Sequence, residues 1–216
     1  MLQVIRADRV NGQESVIFSD EATSSDGLNG TVKKPLAYSS MSEFLNTIEK
    51  PAFHFTRIST SSIDDAHDLV QDSMYKLVEK YSDKSPQDWR PLFYRILNRK
   101  IIDHYRRKTI REKIFRQPSS TDSIKVDYWQ SELYSGVADP NKEPSTLLER
   151  QERINCLTKS TAKLPIRQRQ AFMLRYWEGL TTQETAHAMG CSQGSVKTHL
   201  SRAKTALQAI LRTHYG

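Results

Sequence analysis

Apolar residues recur along most of this chain at steps of three and four, the spacing of one helix face. After Ser42, the positions Phe44, Leu45, Ile48, Phe53 and Phe55 predict a first helix, with Pro51 at or near a break. Ser61-Ser-Ile-Asp-Asp supplies cap residues for a second, from about Asp64 to Tyr81. Its Ala66, Leu69, Val70, Met74, Leu77 and Val78 make a broad apolar face. Ser82 to Trp89 reads as a loop, and a third helix over about 91–108 turns Leu92, Ile96, Ile101 and Ile102 inward. Helical spacing returns at about Ser145, through Leu147, Leu148, Ile154 and Leu157. A further helix spans 164–179, with Pro165 near its start and Gly179 at its end. The last helix is the most regular: Val196, Leu200, Ala203 and Leu207 follow at spacings of four, three and four. Ser192 precedes it as an N-cap, and Gly190 offers the positive φ that a tight corner between helices requires. The expected class is all-α.

Two stretches depart from this rhythm. In residues 1–40, Asn11-Gly12 lies between runs that could pair as a hairpin. The polar run Ser24-Ser-Asp-Gly-Leu-Asn-Gly30 weighs the other way, and a poorly structured, disordered N-terminal tail is expected. Residues 114–144 hold Pro118, Pro140 and Pro144 among Ser, Asp and Asn, and read as a flexible linker carrying Trp129 and Tyr134. Two small helical domains, 41–113 and 145–216, follow from these breaks.

Charge sharpens the division. The chain carries +7 overall, unevenly spread. Residues 95–116 hold nine Lys/Arg against Asp103 and Glu112, and residues 163–216 hold eight against Glu178 and Glu184. Acids exceed bases in 41–94 and in 117–162. Two basic blocks set between acidic ones point to two places that meet a polyanion. No apolar run approaches the roughly 20 residues of a membrane span, no signal-peptide pattern opens the sequence, and Cys156 and Cys191 stand far apart without ligand spacing. A cytoplasmic protein without membrane, metal, cofactor or small-molecule substrate is expected.

The candidate chemistry is that of binding. Opposite the Val196–Leu207 stripe stand Ser195, Lys197, Thr198, Ser201 and Arg202, with Gln193 at the helix start, all able to donate hydrogen bonds. That is the face a recognition helix presents to a DNA major groove in a helix-turn-helix, here over about 183–202. The bland alternative is an amphipathic hairpin with a solvated face. In the first basic block, cations stand beside Trp89, Phe93, Tyr94 and Tyr105, a pairing that suits single-stranded nucleic acid, although Phe93 and Tyr94 fit a core equally well. Asp64, Asp65, Asp68 and Asp72 gather on one side of the second helix near its N-terminus, where the helix dipole favours them. As a metal cluster for an enzyme acting on nucleic acid they lack His partners, and no catalytic constellation is found.

Two separated blocks resemble one family. Asp64-Asp-Ala-His-Asp-Leu-Val-Gln71, Phe93-Tyr-Arg-Ile96 and Ile102-Asp-His-Tyr-Arg-Arg107 resemble region two of bacterial RNA polymerase sigma factors. Leu164-Pro165, Arg169-Gln-Ala-Phe172, Tyr176-Trp-Glu-Gly-Leu-Thr181 and Ser195-Val-Lys-Thr-His-Leu-Ser-Arg-Ala-Lys204 resemble their region four. The order, with a linker in place of region three, resembles the extracytoplasmic-function (ECF) group of the sigma-70 family. The resemblance implies an initiation factor whose partners are core RNA polymerase and promoter DNA, with an anti-sigma protein as a further candidate. It implies polymerase binding by Asp64, Asp65, Asp68, Leu69, Gln71 and Asp72. It implies −10 reading and melting by Trp89, Arg95, Asn98, Arg99, Asp103, Arg106 and Arg107, and −35 reading by Gln193, Ser195, Lys197, Thr198, Ser201 and Arg202. The chain departs from the family in the order Asn98-Arg99, in Leu92 where Trp is common, in His199 where Arg is usual, and in its 40-residue tail. The rival reading is a helix-turn-helix regulator that binds duplex DNA without being a polymerase subunit.

Overall fold

A computed structural model describes residues 5–10, 13–18, 38–60, 62–115, 152 and 155–215. The expected linker, with Trp129 and Tyr134, and the start of the next helix at Ser145, Leu147 and Leu148 lie outside those residues, as does Ile154.

Three helices form the first unit: α1 Met41–Ser59, α2 Ile63–Tyr81 and α3 Pro86–Phe115. The caps are where the sequence places them. Ser40 accepts from the Glu43 amide and Ser62 from the Asp65 amide, each satisfying a first-turn donor that the helix leaves unpaired. Phe44, Ile48, Phe53, Phe55 and Ile58 of α1 meet Ala66, Val70 and Leu77 of α2 and Phe93, Tyr94, Leu97 and Ile101 of α3 in one core. Val78, expected on the apolar face, is 41% exposed.

Both prolines stay inside helices. Pro51 is exposed within α1, which runs on to Ser59 without the expected break. Pro91 lies within α3, which starts at Pro86 and not near residue 91. Proline suits a helix's first position because its missing amide would be unpaired there anyway. Pro91 forfeits one bond, to the Gln87 carbonyl, a loss the packing of the flanking Trp89, Phe93 and Tyr94 outweighs. The expected loop before α3 shortens to four residues, and Trp89 becomes helical.

The second unit comprises α4 (155–162), α5 Ile166–Phe172, α6 Thr182–Met189 and α7 Gln193–Tyr215. The expected single helix over 164–179 is α5 followed by a wide π-helical turn, Met173–Trp177, which Gly179 ends at φ 68°. Thr181 and Glu184 form a capping box at α6, each side chain bonded to the other's backbone amide. Val196, Leu200, Ala203, Leu207 and Leu211 of α7 are buried.

Gly190 closes α6 at φ 62°, ψ 43°, the left-handed conformation. A Cβ there would meet nothing within 4 Å, so the cost of a side chain is conformational and not a clash. Gly190→Ala is expected to lose about 1–2 kcal/mol of stability, and Gly190→Asn less, because Asn tolerates this region. Urea unfolding midpoints of the two variants check this.

The two units pack together, α3 against α6. Of the two readings weighed for residues 1–40, the hairpin is seen over part of the stretch. Residues 5–18 hold an antiparallel pair, β1 Ile5–Val10 and β2 Gln13–Phe18, with Val10 opposite Gln13 and Ile5 opposite Phe18, and β2 lies beside α7. Ile5, Val10, Val16 and Ile17 supply β-branched residues on either side of Asn11-Gly12, the turn signal of a hairpin.

Candidate nucleic-acid and polymerase interfaces

Three surfaces carry the expected site residues. On α2, Asp64, Asp68 and Gln71 are exposed, and their spacing of four and three sets them on one stripe. Among the described residues, no ion pair holds Asp64 or Asp68. Asp72 and Asp65 instead face α3: Lys100 Nζ lies 2.7 Å from Asp72, and His104 Nε2 lies 3.6 Å from Asp65. These two carboxylates therefore help to dock α2 on α3, and the four acids do not converge on one point. Leu69 is half-buried, with Ser73 Oγ donating to its carbonyl.

The same stripe continues through Tyr75, 71% exposed, and Val78, again at steps of four and three. Sequence reading passed over Tyr75. An aromatic at a position pointing away from the apolar face was the available signal. A large ring held in water beside exposed acids is an anchor of the kind that dominates protein interfaces.

On α3, Arg95, Arg99, Arg106 and Arg107 are exposed and Asp103 is half-buried. Tyr105, 49% exposed, stands among them as the ring able to stack on an unpaired base. Trp89 and Asn98 do not share this surface. Trp89 is 5% exposed and packs at 5.9 Å between ring centroids on Phe44 of α1. Asn98 is 1% exposed. Their expected contacts with the −10 element are closed off here: Trp89 is drawn into α3, whose start precedes the predicted one, and Asn98 lies on the buried face of that helix with Tyr94, Leu97 and Ile101.

On α7, Gln193, Lys197, Thr198, Ser201 and Arg202 are exposed, whereas Ser195 is half-buried. Two hydroxyls are already engaged. Ser195 Oγ lies 3.0 Å from Ser192 Oγ, whose oxygen also caps the Ser195 amide, and Thr198 Oγ1 donates to the Gly194 carbonyl at 3.0 Å. With its proton spent on the helix, Thr198 offers a base edge little beyond an acceptor oxygen, and the Ser195 hydroxyl is held against that of Ser192. Arg202, Gln193 and Ser201 remain as donors.

Arg167 of α5 adds a cation that helical spacing on α7 could not reveal. It donates to the Met189 carbonyl at 3.1 Å, at the corner of the helix-turn-helix. Burial, with the Arg167 and Arg202 charges, holds the His199 pKa below its ordinary value. The Arg167 and Arg202 charges near His199 mark the positive potential at this end of α7.

Residues 43–110 match the family Sigma-70 region 2, and residues 154–207 match Sigma-70, region 4. Among curated proteins, the chain is 29% identical over 164 residues to the ECF RNA polymerase sigma factor SigF of Caulobacter vibrioides, covering 76% of this chain and 80% of that one. Among solved structures, it is similar in fold to CnrH in complex with the cytosolic domain of CnrY (19% identity, TM-score 0.51, 80% and 88% covered). It is likewise similar to the sigma factor RpoE in complex with the anti-sigma factor NepR from Bartonella quintana (22%, TM-score 0.51, 79% and 96%).

Proposed function

This chain belongs to the ECF group of the sigma-70 family, a transcription initiation factor that directs core RNA polymerase to promoters, and from that premise we propose how its surfaces divide the work. Residues 41–113 act as region 2 and 145–216 as region 4, with 114–144 joining them. The α2 stripe of Asp64, Asp68, Gln71 and Tyr75, flanked by Leu69, grips a basic and apolar surface of the polymerase. Arg95, Arg99, Arg106 and Arg107, with Tyr105, engage the −10 element as it opens. Arg202, Gln193 and Ser201 read the −35 element, while Lys197 and Arg167 hold its phosphates.

The observation that carries this reading is the presence, in one chain and in family order, of an exposed row of arginines around an aromatic on α3 and a polar-faced helix-turn-helix. A regulator reading duplex DNA alone would leave the first of these, and the whole match over 43–110, without a task. Catalysis belongs to the polymerase: this chain supplies position and contact, not reacting groups, and it works in the cytoplasm where the polymerase is. No helix among the described residues is long and apolar enough to cross a membrane. CnrH and RpoE are each held by a partner protein, and an anti-sigma protein of that class is a fitting partner here too.

The test is promoter opening. Arg106→Ala/Arg107→Ala and Tyr105→Ala are expected to leave recruitment of the polymerase within about twofold, because other phosphate contacts remain. Melting is expected to fall by about 1–3 kcal/mol for each stacked base lost. Permanganate reactivity of −10 thymines, read beside filter binding at the same promoter, separates the two steps. Full melting with lost recruitment would make this block a general DNA tether.

A further inference from the structure

His199 belongs neither to the buried stripe of α7 nor to its outward face. At about 100° per residue it lies about 60° to one side of Val196, with Ser195 and Arg202 further round that side. Lys197 lies about 100° to the other side. The His199 side chain is half-buried, and two charges act on its imidazole. One is Arg167 of α5, anchored at 3.1 Å on the Met189 carbonyl; the other is Arg202, about one turn along α7. The thiol of Cys191, on the turn before α7, also feels Arg167, but burial raises its pKa and it carries no charge at neutral pH. Among the described residues no carboxylate is paired with His199. This flank of the helix therefore gathers two cations and a protonatable ring around no counter-charge.

A helix with its side chains is about 10–12 Å across, and the major groove is about 12 Å wide. When such a helix enters the groove its outward face meets base edges, and each flank meets a wall of phosphates. Lys197 faces one wall. Arg167 and His199 face the other.

We propose that His199 is a phosphate contact at the −35 element that takes up a proton as α7 enters the groove, so that promoter binding strengthens as pH falls. The inference rests on the initiation-factor reading above and adds a residue and a proton to it. In the free chain, burial and the two guanidiniums disfavour a third positive charge and hold the ring below its ordinary pKa. A phosphate within about 4–6 Å offsets the guanidiniums and favours the imidazolium. The pKa is then higher in the bound state than in the free one. Between those two values the bound state holds more protons, so affinity is lost as pH rises through the interval. A separation of about one pH unit corresponds to about tenfold in affinity.

The test titrates duplex promoter DNA with core polymerase loaded with the full chain, at about pH 6, 7 and 8. Ionic strength is held constant, because phosphate contacts depend on salt. His199→Gln removes the titrating group and keeps a neutral donor, so it reports the pH response of everything else. Relative to it, the wild type is expected to gain about three- to tenfold in affinity from about pH 8 to about pH 6. His199→Arg carries a fixed charge and is expected to bind tightly throughout, without that gain. Circular dichroism checks that each variant is folded. An equal pH response in wild type and His199→Gln overturns the proposal. So does a gain confined to one −35 sequence, which would make His199 a base contact. The His199 ring is also titrated by NMR with and without the DNA, and a ring pKa that fails to rise on binding overturns it too. A gain that needs His199 but not polymerase supports the phosphate contact and contradicts the initiation-factor reading.

Discussion

Arg202→Ala is expected to flatten the preference of the loaded polymerase among −35 sequences, while Lys197→Ala lowers binding to all of them alike. Val196, Leu200, Ala203 and Leu207 fix which side of α7 is buried, and Arg202 lies on the opposite side with its guanidinium in water. A fork of donors on that face suits the paired acceptors of a guanine edge, and such a contact typically gives about 1–3 kcal/mol of discrimination. Lys197 lies about 100° round the helix from Val196, towards the wall of the groove, where a point charge meets phosphate. Losing it weakens every sequence and lowers the salt slope by about one unit. Transcription from a panel of −35 variants at two salt concentrations distinguishes the two. A changed sequence preference with Lys197→Ala, and only a changed salt slope with Arg202→Ala, would reverse the assigned roles. Thr198→Ala is the quieter variant, because the Thr198 hydroxyl already donates to the Gly194 carbonyl.

A second large effect is expected on α2. Tyr75→Ala should weaken binding of core polymerase by about 2 kcal/mol or more, roughly thirtyfold, as the loss of an aromatic anchor does at a well-packed interface. Its effect on folding should stay within about 0.5 kcal/mol, since the ring is 71% exposed in the free chain. Asp68→Arg should act in the same direction, by setting a like charge against a basic partner. Asp72→Ala is the contrasting variant. Its carboxylate is paired with Lys100, so its removal touches the α2–α3 contact, at no more than about 1 kcal/mol for so exposed a pair. Titration of labelled polymerase with each variant, with helicity measured in parallel, provides the check. Equal affinities for wild type, Tyr75→Ala and Asp68→Arg would remove α2 from the polymerase interface.

What the sequence made legible was local. Ser62, Ser192 and Gly190 act on the three or four residues beside them, and the α7 stripe obeys a period that one helix sets alone. What stayed hidden depends on partners far along the chain. Trp89 reads as a loop aromatic beside a basic block until Phe44, 45 positions earlier, is known to pack on it. Asp72 reads as one acid in a solvated row until Lys100 reaches it. Arg90 of α3 reaches Glu178, 88 positions later and across the whole linker, and no periodicity in the helix reports it. The β1–β2 pair was visible in its Asn11-Gly12 turn signal, although six-residue strands carry little pattern to set beside a polar tail.

Start-site selection by the polymerase tests the initiation-factor role most directly. Core RNA polymerase is mixed with this chain on fragmented genomic DNA, and the 5′ ends of the transcripts are sequenced. The expected result is a set of new starts that require the chain and share two upstream elements, one near −10 and one near −35. Those starts should be lost with Tyr75→Ala and redistributed with Arg202→Ala. A chain that occupies duplex DNA without polymerase, and adds no new starts when polymerase is present, would contradict it.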